Sequence, residues 1–275
     1  DLAEQEQSNT ISVVGDAIAS PLVEALKAHP DRWNLSRLVH IGSGGGLFSA
    51  HVQAELKRLL PHIVVADSIG TSEGGTLGGG SKPESGEGFI RLAARPDIKV
   101  LSLRRDRFVG PGEDGVLVRT GNVAVGYWGD PKKTAETFTS LNGEKIVITG
   151  DMARVLEDGS IVVLGRGSQC INTGGEKVFP EEVEEKLTSH AAVLDALVVG
   201  IPDPRWGSKV VAVVSLHPGA AVDEHALQDH CRRDLAGYKV PKSIMFVDRV
   251  VRSPAGKADY RWAKETAQQR LATGS

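Results

Sequence analysis

Four short segments hold the residue types that chemistry needs. Gly70-Thr71-Ser72-Glu73-Gly74-Gly75 places hydroxyls and a carboxylate together. A hydroxyl there can donate to a phosphate oxygen, and the carboxylate can hold Mg²⁺. Thr149-Gly150-Asp151 puts an acid just after the apolar run Lys145–Ile148. Such a carboxylate can accept from both hydroxyls of a ribose, and Gly150 lets the sugar come close. Ser253-Pro254-Ala255-Gly256-Lys257 displays a lysine on a turn bounded by proline and glycine. Gly42-Ser43-Gly44-Gly45-Gly46 allows a flat ligand near the backbone. It is not a dinucleotide fingerprint, because Leu47 stands where the third glycine would be. Taken singly, a capped loop, a Gly-Asp turn and a solvated lysine explain these segments at least as well.

The elements around them are those of an α/β layer, a β subdomain and a small α+β unit. Ile11–Val14, Leu38–Ile41 and Ile63–Ala66 read as buried strands. Between them lie a helix opened by Ser20-Pro21 and a second helix after Ser49, with Val52, Leu56, Leu59 and Leu60 on one side. That alternation predicts a parallel layer, whose ligands gather at strand ends. From about residue 87 short strands take over: Phe89–Leu92, Val100–Leu103, Val116–Arg119, Lys145–Ile148 and Ile161–Leu164. They predict a distorted antiparallel barrel, interrupted by a helix at Pro131–Phe138. Gly74–Gly80 reads as a flexible loop. Gly165–Glu184 reads as a polar, glycine-bearing crossing that ends in a helix at Pro180, with Glu181, Glu182 and Glu184 in its first turns. Beyond it come strands at Ala196–Ile201, Val210–Leu216 and Ile244–Val247. Helices follow Asp223 and cover about Tyr260–Leu271.

The totals narrow the classes. Net charge is −3, with 32 basic against 35 acidic residues, which leaves no footprint for nucleic acid. Cys170 and Cys231 have no metal spacing and build no disulfide framework, which suits a reducing, cytoplasmic setting. No apolar run is long enough to span a bilayer.

The order of the segments says more than any one of them. Gly-Thr-Ser-Glu-Gly is followed by Gly126-Tyr127-Trp128 with Thr134, then Thr-Gly-Asp, Gly165-Arg166, the glycine crossing and Ser-Pro-Ala-Gly-Lys. From about Leu38 to Arg261 this succession resembles the adenylate-forming superfamily of acyl-CoA synthetases, luciferases and peptide-synthetase adenylation domains. The resemblance implies a fold in which residues 1–168 are the C-terminal part of the large domain, with an α/β layer over 1–86 and a β subdomain over 87–168. Residues 169–275 would then be a small α+β lid.

It also implies roles. Gly44, Gly45 and Gly46 would lie along adenine, with Ile69, Gly70 and Thr71 in the same nucleotide site. Ser72 would meet the α-phosphate, and Glu73 would hold Mg²⁺. Asp151 and Arg166 would take the ribose and phosphate region. Lys257 would be the catalytic lysine, and Gly174 and Gly175 would line a tunnel for the pantetheine of coenzyme A. Ile69 departs from the family's usual aromatic ring. Gln169 falls at the pivot, where the family usually has Asp or Lys, so the hinge is neutral here.

The implied reaction joins a small-molecule carboxylic acid, ATP and CoA. Ile171–Glu184 looks most like fatty-acyl-CoA synthetases, particularly actinobacterial lipid or steroid side-chain acid ligases. Homodimer assembly is a further expectation. The family's β,γ-phosphate loop, ending in Pro-Lys-Gly, has no counterpart here. The chain therefore reads as the C-terminal half of an enzyme of about twice this length, inactive in adenylation by itself. Two rival readings are an adenylation domain that loads a carrier protein and a non-catalytic binding module. Retention of Glu73, Asp151, Arg166 and Lys257 together argues against the module.

Overall fold

The computed structural model describes residues 1–81 and 90–273, so Phe89 and the expected boundary at residues 86–87 lie outside the described residues. The chain forms two compact units. One gathers residues 1–66 and 169–275, and the other holds 67–168.

The first unit opens with α1 (Leu2–Gln5), β1 (Thr10–Val13), α2 (Gly15–Ala28), β2 (His40–Gly44) and α3 (Ala50–Leu59), and reaches the start of β3 (Val64–Thr71). β1 and β2 are parallel, with Thr10 opposite His40. Val13, Val23, Leu26, Ile41, Phe48, Val52 and Leu56 close one core under the two long helices. Each such side chain contributes about 1.5–3 kcal/mol when fully buried. Ser49 caps α3 as its sequence predicts, accepting from the Val52 N–H.

The start of α2 is a correction. Ser20-Pro21 does not open it; Pro21 lies inside a helix that begins at Gly15. The cap comes from elsewhere in the chain. The Gly15 N–H donates to Ser43 Oγ at 3.0 Å, the Asp16 N–H donates to the Leu47 carbonyl, and Asp16 Oδ1 accepts from the Ser49 N–H. Gly15 has φ +56°, and a Cβ there would stand 2.2 Å from the Leu47 carbonyl oxygen. Only glycine fits that seat.

The second unit is antiparallel throughout. It continues β3 and adds β4 (Gly75–Ser81), β5 (Ile90–Leu92), β6 (Ile98–Leu101), β7 (Asp114–Thr120), α4 (Pro131–Thr137), β8 (Phe138–Leu141), β9 (Glu144–Val155) and β10 (Ile161–Arg166). The strands run in the order β3-β4-β5-β10-β9-β7-β6, with β8 on β9. Leu77, Ile90, Leu92, Val100, Leu117 and Val163 fill its core. Two expectations change here. Gly74–Gly80 is not a loop: β4 pairs with β3 and β5, and its glycines are held to close approach. A Cβ on Gly80 would lie 2.3 Å from the Arg91 carbonyl oxygen. Thr149-Gly150-Asp151 lies inside β9 rather than after a strand, because β9 runs twelve residues and pairs with both β7 and β10.

Past a 3₁₀ turn at Gly167–Gln169, the first unit resumes. The glycine crossing proves to be mostly ordered hairpin, formed by β11 (Ile171–Thr173) and β12 (Glu176–Val178). Then follow α5 (Pro180–Thr188), β13 (Val193–Asp203), β14 (Gly207–Leu216), α6 (Glu224–Arg232), β15 (Ser243–Phe246) and α7 (Tyr260–Thr273). β13–β14–β15 is one sheet with two dry faces. Ala196, Val198, Val210, Ala212 and Val214 face one core, with Val183, Leu187 and Leu227. Leu197, Val199, Val211 and Val213 face another, with Ala263 and Ala267. Burial on both sides explains the near-continuous apolar runs.

Candidate functional site

In the second unit, Arg166 on β10 sits directly across from Asp151 on β9. Arg166 Nε lies 3.0 Å from Asp151 Oδ1, and Arg166 Nη1 donates to the Thr149 carbonyl at 3.1 Å. The Asp151 side chain is 5% exposed and the Arg166 side chain 52%. The Asp151 N–H donates to Thr149 Oγ1, which in turn donates to the Leu117 carbonyl. Burial pushes the Asp151 carboxyl above its ordinary pKa, and the Arg166 charge pulls the other way. Its second oxygen, Oδ2, is buried without a hydrogen-bond partner. A buried acceptor in that state calls for a donor.

Glu73 occupies the turn between β3 and β4. Thr71 Oγ1 accepts from the Gly74 N–H at 2.9 Å and shapes the turn, while Ser72 is exposed. Arg119 on β7 donates to the Gly74 carbonyl. Tyr127 Oη donates to Glu73 Oε1 at 2.5 Å. That bond, together with the Lys133 and Arg166 charges, holds the Glu73 carboxyl below the usual range. Tyr127 is itself held: its N–H donates to Thr134 Oγ1 at 2.8 Å, its ring meets Phe138 edge-on, and Lys133 Nζ lies over its face. Gly126 is required beside it, since a Cβ would stand 2.4 Å from Thr134 Cγ2. Ile69 packs against the core of the second unit instead of standing free. Gly70 lies in the same hairpin, where a Cβ would meet the Gly75 carbonyl oxygen at 2.8 Å.

In the first unit, Gly44 ends β2, and Gly45 and Gly46 follow it. Lys257 comes to this loop: a Cβ on Gly45 would lie 4.0 Å from Lys257 Cε. The lysine is exposed, while Gly256 beside it is buried against Val14 and Ala17 at the start of α2. Gly174 and Gly175 form the β11–β12 turn with φ of +59° and +92°. The Gly174 N–H donates to the Trp206 carbonyl, and a Cβ on Gly174 would touch the Trp206 ring at 2.9 Å. Gln169 is half-buried in the 3₁₀ turn, at the boundary where the chain passes from one unit to the other.

Three pairings thus gather the sequence-derived residues: Asp151 with Arg166, Glu73 with Tyr127, and Lys257 with Gly45. Sequence reasoning named Tyr127 in a motif but not as the partner of Glu73, and it missed Arg119. Partners 45 to 54 residues apart leave no local signal. As a metal site Glu73 offers a single carboxylate, and no cluster of three or more His, Cys, Asp or Glu exists among the described residues. One ionised carboxylate beside substrate phosphates is a common way to hold Mg²⁺, so the donor set fits.

Comparison with known proteins gives the class. Residues 182–257 match the AMP-binding enzyme C-terminal domain. Over 96% of its length it is 49% identical to a medium/long-chain-fatty-acid–CoA/3-oxocholest-4-en-26-oate–CoA ligase of Mycobacterium tuberculosis, covering 48% of that protein. It is 44% identical to the 3-oxocholest-4-en-26-oate–CoA ligase of Rhodococcus rhodochrous, covering 96% of this chain and 49% of that one. The chain spans about half the length of the curated relatives it matches. Among solved structures, ATP-bound MatB from Rhodopseudomonas palustris superposes with a TM-score of 0.79 at 25% identity, over 96% of this chain and 52% of that one. The architecture is that of the C-terminal portion of an adenylate-forming enzyme. No helix among the described residues is long and apolar enough to cross a membrane.

Proposed function

We propose that this chain is the C-terminal part of an ATP-dependent acyl-CoA ligase acting on a fatty acid or a steroid side-chain acid. The observation that carries the reading is the pairing of Lys257 with the glycine loop at Gly45. It brings the last motif of the resemblance to one of the first. The substrate class follows that of the relatives, which are fatty-acid and steroid-acid ligases.

In this reading a substrate carboxylate oxygen attacks the α-phosphorus of ATP. The bond to the bridging oxygen breaks, and pyrophosphate leaves. The ammonium of Lys257 offsets the charge that builds on the transferring group. Ser72 contacts the α-phosphate, and Asp151 takes the ribose through its unpartnered oxygen, with Arg166 at its side. The resemblance assigns Gly44, Gly45 and Gly46, and separately Ile69, Gly70 and Thr71, to the nucleotide. Glu73 would hold Mg²⁺, which would supply charge neutralisation at the phosphates. The CoA sulfur then attacks the acyl carbonyl, AMP leaves, and a thioester forms. Residues 169–275 act as a lid that pivots at Gln169 between the two steps, and Gly174 and Gly175 admit pantetheine. The same reading includes a cytoplasmic setting and homodimer assembly.

Replacing Lys257 with Ala in the full-length protein should lower acid-dependent pyrophosphate release by on the order of 10²–10³. Stability should stay within about 0.5 kcal/mol, as expected at an exposed site. Unchanged release would remove the lysine from the chemistry.

A further inference from the structure

The turn that displays Lys257 is short, exposed apart from Gly256, and anchored from outside. Within it, the Ser253 N–H donates to the Lys257 carbonyl, the Gly256 N–H to the Ser253 carbonyl, and the Lys257 N–H to Ser253 Oγ. These bonds close the turn but do not fix it to the sheet. The tie to the sheet is Arg252. Its Nε and Nη2 donate to Asp195 on β13, both at 2.7 Å, and its Nη1 reaches the Gly256 carbonyl at 3.4 Å. The backbone continues the tie, since Arg252 bridges Ala258. Both partners are mostly buried, with 17% and 22% of their side chains exposed. Asp195 is oriented in turn, its Oδ1 accepting from the Ala196 N–H.

We propose that Arg252, clamped by Asp195, is the positioning residue for Lys257: one guanidinium joins the sheet to the carbonyl that precedes the lysine and so fixes where the ammonium is presented. The catalytic meaning of this clamp rests on the ligase reading; the clamp itself does not. A planar fork with several fixed donors can serve a carboxylate and a carbonyl at once, whereas a lysine ammonium is a point charge that serves one direction well. Lysine at position 252 therefore separates the two tasks, keeping the ion pair with Asp195 and losing the hold on the turn.

The test is amide hydrogen exchange on the chain carrying Arg252→Lys, with Arg252→Gln alongside. In Arg252→Lys, exchange at Gly256 and Lys257 should rise about tenfold while β13 and β14 keep their protection. In the full-length protein the same change should lower kcat for adenylate formation and leave the KM for ATP unchanged. Exchange at Gly256 and Lys257 that stays within twofold of wild type in the folded Arg252→Lys chain, or that rises equally across the whole unit, would overturn the proposal. Should Arg252→Gln fail to fold, Arg252→Lys still decides. If Lys257→Ala leaves turnover intact, the ligase reading fails while the exchange result stands. If Lys257→Ala abolishes turnover and Arg252→Lys does not change it, the positioning inference fails by itself.

Discussion

In the second unit the polar groups of the candidate site are built on or braced by strands. Asp151 and Arg166 face each other across β9 and β10, and Glu73 is held by Tyr127, with Arg119 bracing its turn. In the first unit Lys257 stands exposed on a turn fixed by one arginine and one buried glycine. Strands give a fixed geometry, while a turn held by an arginine and a buried glycine can be re-presented. Under the proposed reading, that contrast matches a ribose-binding pair built on strands and a catalytic lysine carried on a turn.

The largest expected effect concerns what lies under the lysine turn. Glu184 on α5 is buried, accepting from the Val198 N–H at 2.9 Å and from Tyr260 Oη at 3.2 Å. Burial first, and then the Glu181 charge, push its carboxyl from 4.5 to about 8. The folded chain thus keeps a proton that the unfolded chain releases above 4.5. The stability this contributes is complete below that pH and is lost as pH rises toward 8. Glu184→Gln should remove the dependence, so that between pH 5 and pH 9 the variant gains on the order of 4 kcal/mol relative to wild type in urea titrations. Parallel pH curves for the two proteins would show that Glu184 is already ionised in the fold.

Glycine substitutions sharpen the same contrast. Gly80→Ala drives a Cβ into the Arg91 backbone of the neighbouring strand and should cost about 3 kcal/mol. Gly256→Ala meets only ordinary contacts at 3.5 Å, and its φ of +78° should cost about 1 kcal/mol. Thermal unfolding of both variants would check the order, and a reversed order would mean that the turn is the more rigid seat. Tyr127→Phe is the mildest change. It removes the donor that holds the Glu73 carboxyl low, so the Glu73 titration followed by NMR should move up toward the ordinary carboxylate range. No movement would assign the shift to the Lys133 and Arg166 charges instead.

Much of this arrangement was readable from local chemistry. Ser49 and Asp223 each precede a helix that they cap, and Pro131 and Pro180 each begin one. β7 carries the alternation of a half-buried strand, whereas β10 is a continuous apolar run buried from Ile161 to Gly165. What was not readable depends on distant partners. The cap of α2 comes from Ser43 and Leu47, so a local Ser-Pro signal misplaced its start by six residues, at Pro21 instead of Gly15. β4 is a glycine strand, chosen for close approach to β5 rather than for β propensity. Arg252 and Asp195 are 57 residues apart. Each motif announced a residue type, but none announced the residue that holds it.

The central claim is that this chain holds part of a nucleotide site whose ribose seat is the buried, half-satisfied carboxylate of Asp151. Calorimetric binding of a non-hydrolysable acyl-adenylate analogue to the chain and to its Asp151→Ala variant tests this directly. The account predicts measurable binding that weakens by at least about tenfold in the variant, the loss of a hydrogen bond to a charged group. Equal affinity in the two folded proteins would contradict it.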